Sequence, residues 1–247
     1  MLQHVVRGTA ERVGRLLRSQ AQLFDLHARR AALRLTPDGV HDLRVLLRRI
    51  RAAVWIVARL GAAGDVRGLR RSLRRLGRAL GERRLLDVAA DDATAYGLDT
   101  APLAQERERT GRAILKQLRP DRRAKLVARL RAAAAVMPAG DGLPAALAAR
   151  ARRLESALAR AHRSARDMHL LRIELKKARY ILEALDRDAA FIKPLQDAIG
   201  RAHDLDVMQQ LVGRHPRAEQ DRRRADRRSR ARMKRVVARA AAELERP

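Results

Sequence analysis

Cysteine is absent from this 247-residue chain, which excludes disulfides and thiolate metal sites. Aromatic residues are nearly absent as well: two Phe, two Tyr and one Trp. The core must therefore be aliphatic, and the stacking platforms on which single-strand nucleic-acid binders rely are missing. Long apolar runs are lacking too. The longest, such as Ala52 to Ala58, fall far short of a bilayer span. Met1-Leu-Gln-His-Val-Val-Arg7 does not have the apolar stretch of a secretion signal. A soluble cytoplasmic protein with no membrane partner is the expectation. Negative charge is the last scarcity, with 28 Asp and Glu against 56 Lys and Arg and a formal net charge of +28.

That surplus exceeds what solubility requires and directs attention to polyanions. Nearly all of it is arginine; the lysines are Lys116, Lys125, Lys176, Lys177, Lys193 and Lys234. Guanidinium suits bidentate phosphate contacts. The length fits one large domain or two small ones.

The cations are not scattered at random. His41-Asp-Leu-Arg-Val-Leu-Leu-Arg-Arg-Ile-Arg51 returns as His169-Leu-Leu-Arg-Ile-Glu-Leu-Lys-Lys-Ala-Arg179. Each copy places basic residues three, seven, eight and ten positions after its histidine: Arg44, Arg48, Arg49 and Arg51, then Arg172, Lys176, Lys177 and Arg179. At about 100° per residue the histidine and positions three, seven and ten share one helix face, climbing about 15 Å. Each copy is thus a basic stripe headed by a histidine and suited to an extended anion. A second echo follows each stripe, Leu80-Gly-Glu-Arg-Arg-Leu-Leu-Asp-Val88 and Ile199-Gly-Arg-Ala-His-Asp-Leu-Asp-Val207. Two motifs repeated in the same order imply an internal duplication, with repeats over 1–119 and 120–247.

Helical periodicity runs through the whole chain, and no Val/Ile alternation suggests a strand, so the fold class is all-α. The apolar residues Val13, Leu16, Leu17, Leu23, Leu26 and Leu33 recur at helical spacing in a first long helix. Thr36-Pro37-Asp38 reads as a cap, a proline at the first helical position and an early acid. Leu43, Leu47, Ile50 and Val54 then face the core behind the first stripe, in a helix running to about Leu60. Leu69, Leu73, Leu76 and Leu80 do so in the next, whose pattern is interrupted at Gly81 and resumes through Asp87. A further helix ends at Arg119-Pro120, and another runs from Asp121 to Val136, followed by a turn over 137–142. Asp167 is expected to cap the second stripe helix. Arg222 to Arg235 lie in a last helix of high arginine density.

Signatures of catalysis are missing. There is neither a Gly-x-x-x-x-Gly-Lys loop nor a His-Glu-x-x-His pair. Glu106 and Glu108, two apart, point to different helix faces. Asp87, Asp204 and Asp206 are read as partners that orient motif arginines; no metal site, cofactor or catalytic residue is expected. His41 and His169 stand near helix N-termini, where anions are favoured. An anion bound there favours the imidazolium, so binding should tighten as pH falls toward 6. His203 replaces Arg84 in the echo and is a further possible anion contact. His4, His27, His162 and His215 are read as incidental.

The paired stripe and its echo resemble the conserved histidine α-helical domain, CHAD. The matching residues are His41-x-x-Arg-Val-x-x-Arg-Arg-x-Arg51 and His169-x-x-Arg-Ile-x-x-Lys-Lys-x-Arg-Tyr180. The family's Leu-Gly-x-x-Arg-Asp-x-Asp-Val segment is matched near Gly200 to Val207, with His203 in place of the arginine. In the first half Leu85 stands where that segment has its first Asp. The resemblance covers nearly the whole chain, as a single domain over 1–247. It implies two four-helix bundles related by pseudo-symmetry, their long antiparallel helices turning basic faces toward a shared groove or pore. It also implies non-catalytic binding of inorganic polyphosphate and association with polyphosphate granules. The binding residues it carries over are both histidines and the eight stripe cations, with Arg74 and Arg78 on the neighbouring helix as additions. The Glu-x-Glu-x-Lys motif of the triphosphatase-type domain often fused to this family is absent, so a stand-alone module is expected. A non-specific nucleic-acid-binding protein is the alternative reading; net charge supports it equally.

Overall fold

The computed structural model describes residues 2–61, 65–135 and 142–246. Among them are nine α-helices and no strand: α1 (Leu2–Leu33), α2 (Pro37–Val57), α3 (Val66–Ala95), α4 (Ala101–Gln117), α5 (Pro120–Ala134), α6 (Gly142–Arg160), α7 (Ala165–Ala184), α8 (Lys193–Val212) and α9 (Pro216–Glu245). A 3₁₀ turn, Ala190–Ile192, leads into α8. None of the described helices is long and apolar enough to cross a membrane. The helix expected to end at Val136 ends at Ala134, and the turn expected over 137–142 falls, apart from Gly142, outside the described residues.

Contacts gather the chain into two compact units. Unit 1 is Met1–Asp87 with Gln105–Leu143; unit 2 is Val88–Ala104 with Pro144–Pro247. These units cut across the two sequence repeats. The reason for α5 is local: it packs on α1, where Gly14 brings the backbones together. A Cβ there would lie 2.7 Å from the Ala134 carbonyl oxygen. Arg18 of α1 donates to that same carbonyl at 3.2 Å, satisfying an acceptor at the end of α5. The segment 88–104 belongs to unit 2 because polar side chains fasten it there. Tyr96 donates to Asp221 of α9 at 2.8 Å, and Arg201 of α8 pairs with Asp92.

In unit 1 the helices follow their apolar spacing. The buried face of α1 is Ala10, Val13, Leu17, Ala21, Phe24, Ala28 and Ala31, steps of three and four that define one stripe. Leu23, Leu26 and Leu33 lie off it; Leu33 is 88% exposed. Periodicity in leucine alone misplaces this face, since alanine supplies most of the contact. Helix α2 begins as its sequence requires. Thr36 is the N-cap, its hydroxyl accepting from Gly39 N–H at 3.1 Å, with Pro37 next. Its Leu43, Leu47, Ile50 and Val54 are buried. It ends at Val57, three residues before the expected Leu60, and Gly61 takes a left-handed φ of 83° after it. Helix α3 runs straight through Gly81 without the expected interruption; a mid-helix glycine costs only about 1 kcal/mol, and buried Leu73, Leu76, Leu80 and Leu86 anchor both sides.

Unit 2 is built on α7, α8 and α9. The cap of α7 is Ser164, not Asp167: the serine oxygen accepts from Asp167 N–H and its hydroxyl donates to the Asp167 carboxylate at 2.7 Å. Asp167 sits three residues inside, a capping-box arrangement. Helix α9 lies along α8 with Ala218, Ala225, Ser229, Met233, Val237, Ala240 and Ala241 buried. Such small residues allow a close approach. Gly213, at φ 109°, makes the turn between these helices.

One carboxylate is fully sequestered. Asp87 is 0% exposed, and its Oδ1 accepts from Arg83 of α3 at 2.9 Å and from Arg107 of α4 at 3.1 Å. Arg83 also donates to the Arg107 carbonyl. Removing one partner of such a group strands the other charge. Asp87→Ala is expected to destabilise the protein by about 3–5 kcal/mol, read as a lower midpoint in urea unfolding followed by circular dichroism.

Candidate anion-binding site

The stripe of unit 1 lies on α2, directly behind the buried leucines, because residues at steps of three and four from His41 fall opposite the core face. Helix α3 supplies a second set of cations. His41 has its imidazole pKa lowered, first by desolvation and then by Arg84, with Arg44 and Arg48 adding to the effect and Asp42 opposing it. Arg51 is likewise lowered, by desolvation and then by Arg48, Arg74 and Arg70. A guanidinium stays protonated regardless, so the direction is a measure of crowding. Among the described residues no ion pair joins Arg48, Arg51, Arg70 or Arg74 to a carboxylate. Close approach is built in: a Cβ on Gly77 would meet Leu47 Cδ2 at 3.2 Å and Arg51 Nη1 at 3.5 Å. A little beyond, Arg59 stacks over Trp55, 3.7 Å from the ring centroid.

The stripe of unit 2, on α7, faces α8. His169 and His203 bring their rings to 5.0 Å between centroids, tilted at 52°. The His169 Nδ1 is buried without a hydrogen-bond partner. Arg172 reaches Asp204 at 3.6 Å and lies across Gly200, whose Cβ, if present, would be 3.2 Å from its Nη2. The glycine of the echo thus makes room for a stripe arginine here, whereas Gly81 has nothing within 4 Å. Desolvation, then Arg172 and Lys176, lowers the His169 pKa. His203 is pushed down to about 4, by desolvation first and then by Arg172, His169 and Lys176, against Asp204.

The structure therefore groups His41, Arg48, Arg51 and Arg74 of the expected set in unit 1, with Arg44 beside His41. In unit 2 it groups His169, Arg172 and Lys176. Arg49 is exposed beside the first row, and Arg78 is exposed on α3. Two expected members are turned to other partners. Lys177 bonds Glu174 at 2.6 Å, a carboxylate shared with buried Arg150. Arg179 bonds Glu183 at 2.7 Å and Gln196 at 3.1 Å. Arg70 and Arg84 join the first group unannounced; Arg70 stands one turn before Arg74, and Arg84 aligns with His203, so spacing and the repeat together carried the signal. Of the three aspartates, Asp204 alone holds a stripe arginine. Asp87 binds Arg83 and Arg107, and its counterpart Asp206 faces Arg222 of α9 at 3.3 Å. Each ties an echo helix to the helix after it. Within α9, Arg222 and Arg223 share Glu219, and Arg230 bonds Asp226. No group of three or more His, Cys, Asp or Glu able to hold a metal occurs among the described residues.

Residues 16–213 match the family model of the CHAD domain. The chain belongs to the CHAD family. Its fold resembles the CHAD domain from the plant Ricinus communis, with a TM-score of 0.60 at 19% identity over 95% of this chain and 92% of that one. It also resembles PptA from Streptomyces chartreusis, with a TM-score of 0.65 at 19% identity over 94% and 98%. No curated protein matches it. Within this CHAD domain, the family model ends before α9, so the arginine-dense last helix lies beyond the matched residues.

Two stability effects follow. Relieving the crowding in unit 1 with Arg74→Gln should stabilise the ligand-free protein by about 0.3–1 kcal/mol, seen as a raised melting temperature at low salt that vanishes at high salt. His203 binds a proton near 6.5 when unfolded but near 4 when folded. Its unfolded form therefore takes up more protons between those values, and stability is complete above 6.5 and falls as pH drops toward 4. Thermal melts from pH 7 to 4.5 should show this slope, and His203→Gln should flatten it.

Proposed function

We propose that this CHAD protein binds inorganic polyphosphate without processing it, through the histidine-headed rows of α2 and α7. The observation that carries the reading is the gathering of Arg48, Arg70 and Arg74 around Arg51, which together with burial disfavours the charge on Arg51. A folded protein that holds guanidiniums together in this way is preorganised for an anion with charge at short, regular intervals. His41, Arg44, Arg49, Arg78 and Arg84 extend the surface of unit 1. His169, Arg172 and Lys176 form that of unit 2, with Lys177 and Arg179 contributing only on release from their carboxylates. The polymer neutralises the repulsion and releases counterions, so affinity falls steeply with salt, as for nucleic acids. Aromatic residues and groove-fitting motifs are missing from both rows, which favours a polymer without bases over DNA or RNA. Attachment to polyphosphate granules in the cytoplasm follows from the same reading.

The test is a titration of the purified chain with long-chain polyphosphate at physiological salt, competed by duplex DNA and single-stranded RNA. A variant with Arg44, Arg48, Arg172 and Lys176 changed to alanine should lose at least a hundredfold in affinity while keeping its helical circular dichroism. Equal binding of all three polymers, unaltered in that variant, would show that bulk charge alone acts.

A further inference from the structure

The two rows are chemically unequal. In unit 1 the head histidine faces Arg84 of α3, and the row beyond it continues through Arg48, Arg51, Arg70 and Arg74. Those guanidiniums keep their charge at every physiological pH. In unit 2 the position of Arg84 is taken by His203, which faces the head histidine across 5.0 Å. The cations further along are largely answered: Asp204 meets Arg172, Glu174 takes Lys177, and Glu183 takes Arg179.

The geometry points to a proton-gated phosphate subsite in unit 2, in which His169 and His203 together become the anion donors when a phosphate oxygen enters between α7 and α8. This rests on the polyphosphate reading and adds a regulation to it. Two imidazoles at this separation can both turn N–H groups toward one phosphate, but only when protonated can each donate from both nitrogens. Burial deprives the His169 Nδ1 of any partner in the empty protein, so the neutral pair is a poor site and a ready one.

The surroundings decide when the proton arrives. From α7, Arg172 and Lys176 oppose it; from α8, Asp204 favours it. Of the charges that α9 and the unit 2 segment of α3 bring to α8, Arg222 and Asp92 are taken up by Asp206 and Arg201, and Glu219 and Asp226 of α9 also act on Asp206. In the ligand-free protein burial, with the cations adding to it, keeps the pair neutral at pH 7. A phosphate bearing negative charge reverses the balance, and binding draws protons from solution. Unit 1 needs none, and serves as the pH-independent anchor.

Calorimetric titration of the full chain with polyphosphate of defined length, in two pH 6 buffers of different ionisation heat, measures this uptake directly. Wild-type protein should take up about two protons per chain and bind roughly tenfold more tightly at pH 6 than at pH 7.5. His169→Gln and His203→Gln should each abolish the uptake, whereas His41→Gln should leave most of it. His203→Arg, which copies unit 1, should bind at pH 7.5 as wild type does at pH 6. Histidine ring proton spectra of the wild type, with and without polyphosphate, give the same answer without any variant: two resonances should move to the imidazolium position on binding at pH 6. Tight binding without proton uptake, or uptake lost in His41→Gln but kept in His203→Gln, overturns the gate and leaves the polyphosphate reading standing. No binding at any pH overturns both.

Discussion

Like charges held close together are the constraint on which this molecule turns. Guanidiniums in water repel and separate; here, aliphatic faces on α2 and α3 fix them side by side. Leu43, Leu47 and Ile50 on one helix and Leu69, Leu73 and Leu76 on the other are buried, and each fully buried side chain of this kind contributes about 1.5–3 kcal/mol. The arginines ride on the opposite sides of the same helical turns. Apolar packing therefore does the work of holding charge in an unfavourable place, a cost that a polyanion converts into affinity. The acids that are present are set against arginines. Asp87 is sealed between two arginines of unit 1, and Glu219 gathers two on α9.

The two copies of the motif share a local frame and differ in what surrounds it. Both copies keep a capped helix, a histidine near its start, an apolar face and a following aspartate that binds the next helix. What changes is the set of carboxylates set against the cations. Leu85 occupies the place of Asp204, the acid that meets Arg172. Glu174 and Glu183 have Leu46 and Trp55 as counterparts by position. The first unit is left with crowded guanidiniums and the second with a more compensated, titratable surface.

Much of this was legible in the chain itself, where a rule of short range applied. Thr36 and Pro37 announced the start of α2, the spacing from His41 and His169 announced the stripes, and the lack of strand patterning announced an all-α fold. Errors arose where the deciding partner is distant in sequence. The core face of α1 consists largely of alanines, which carry little signal against a background rich in that residue. Assignment of α5 to unit 1 depends on the meeting of Gly14 with Ala134, 120 positions apart. The aspartates were recognised as ion-pair partners, but the arginines each would meet come from α3, α4, α7 and α9, and no local pattern selects among them. Lys177 and Arg179 fit the stripe by offset, yet glutamates three and four residues away capture them.

The scarcity of aromatics gives Trp55 a value beyond packing. It is the only tryptophan in the chain, it lies on the stripe helix of unit 1 one turn past Arg51, and a guanidinium rests on its face. Its emission is consequently an intrinsic optical probe of one unit, with no second indole to blur it. Quenching or blue shift on addition of a ligand registers events around Trp55, so that comparison with a signal from the whole molecule helps to separate what the two units do.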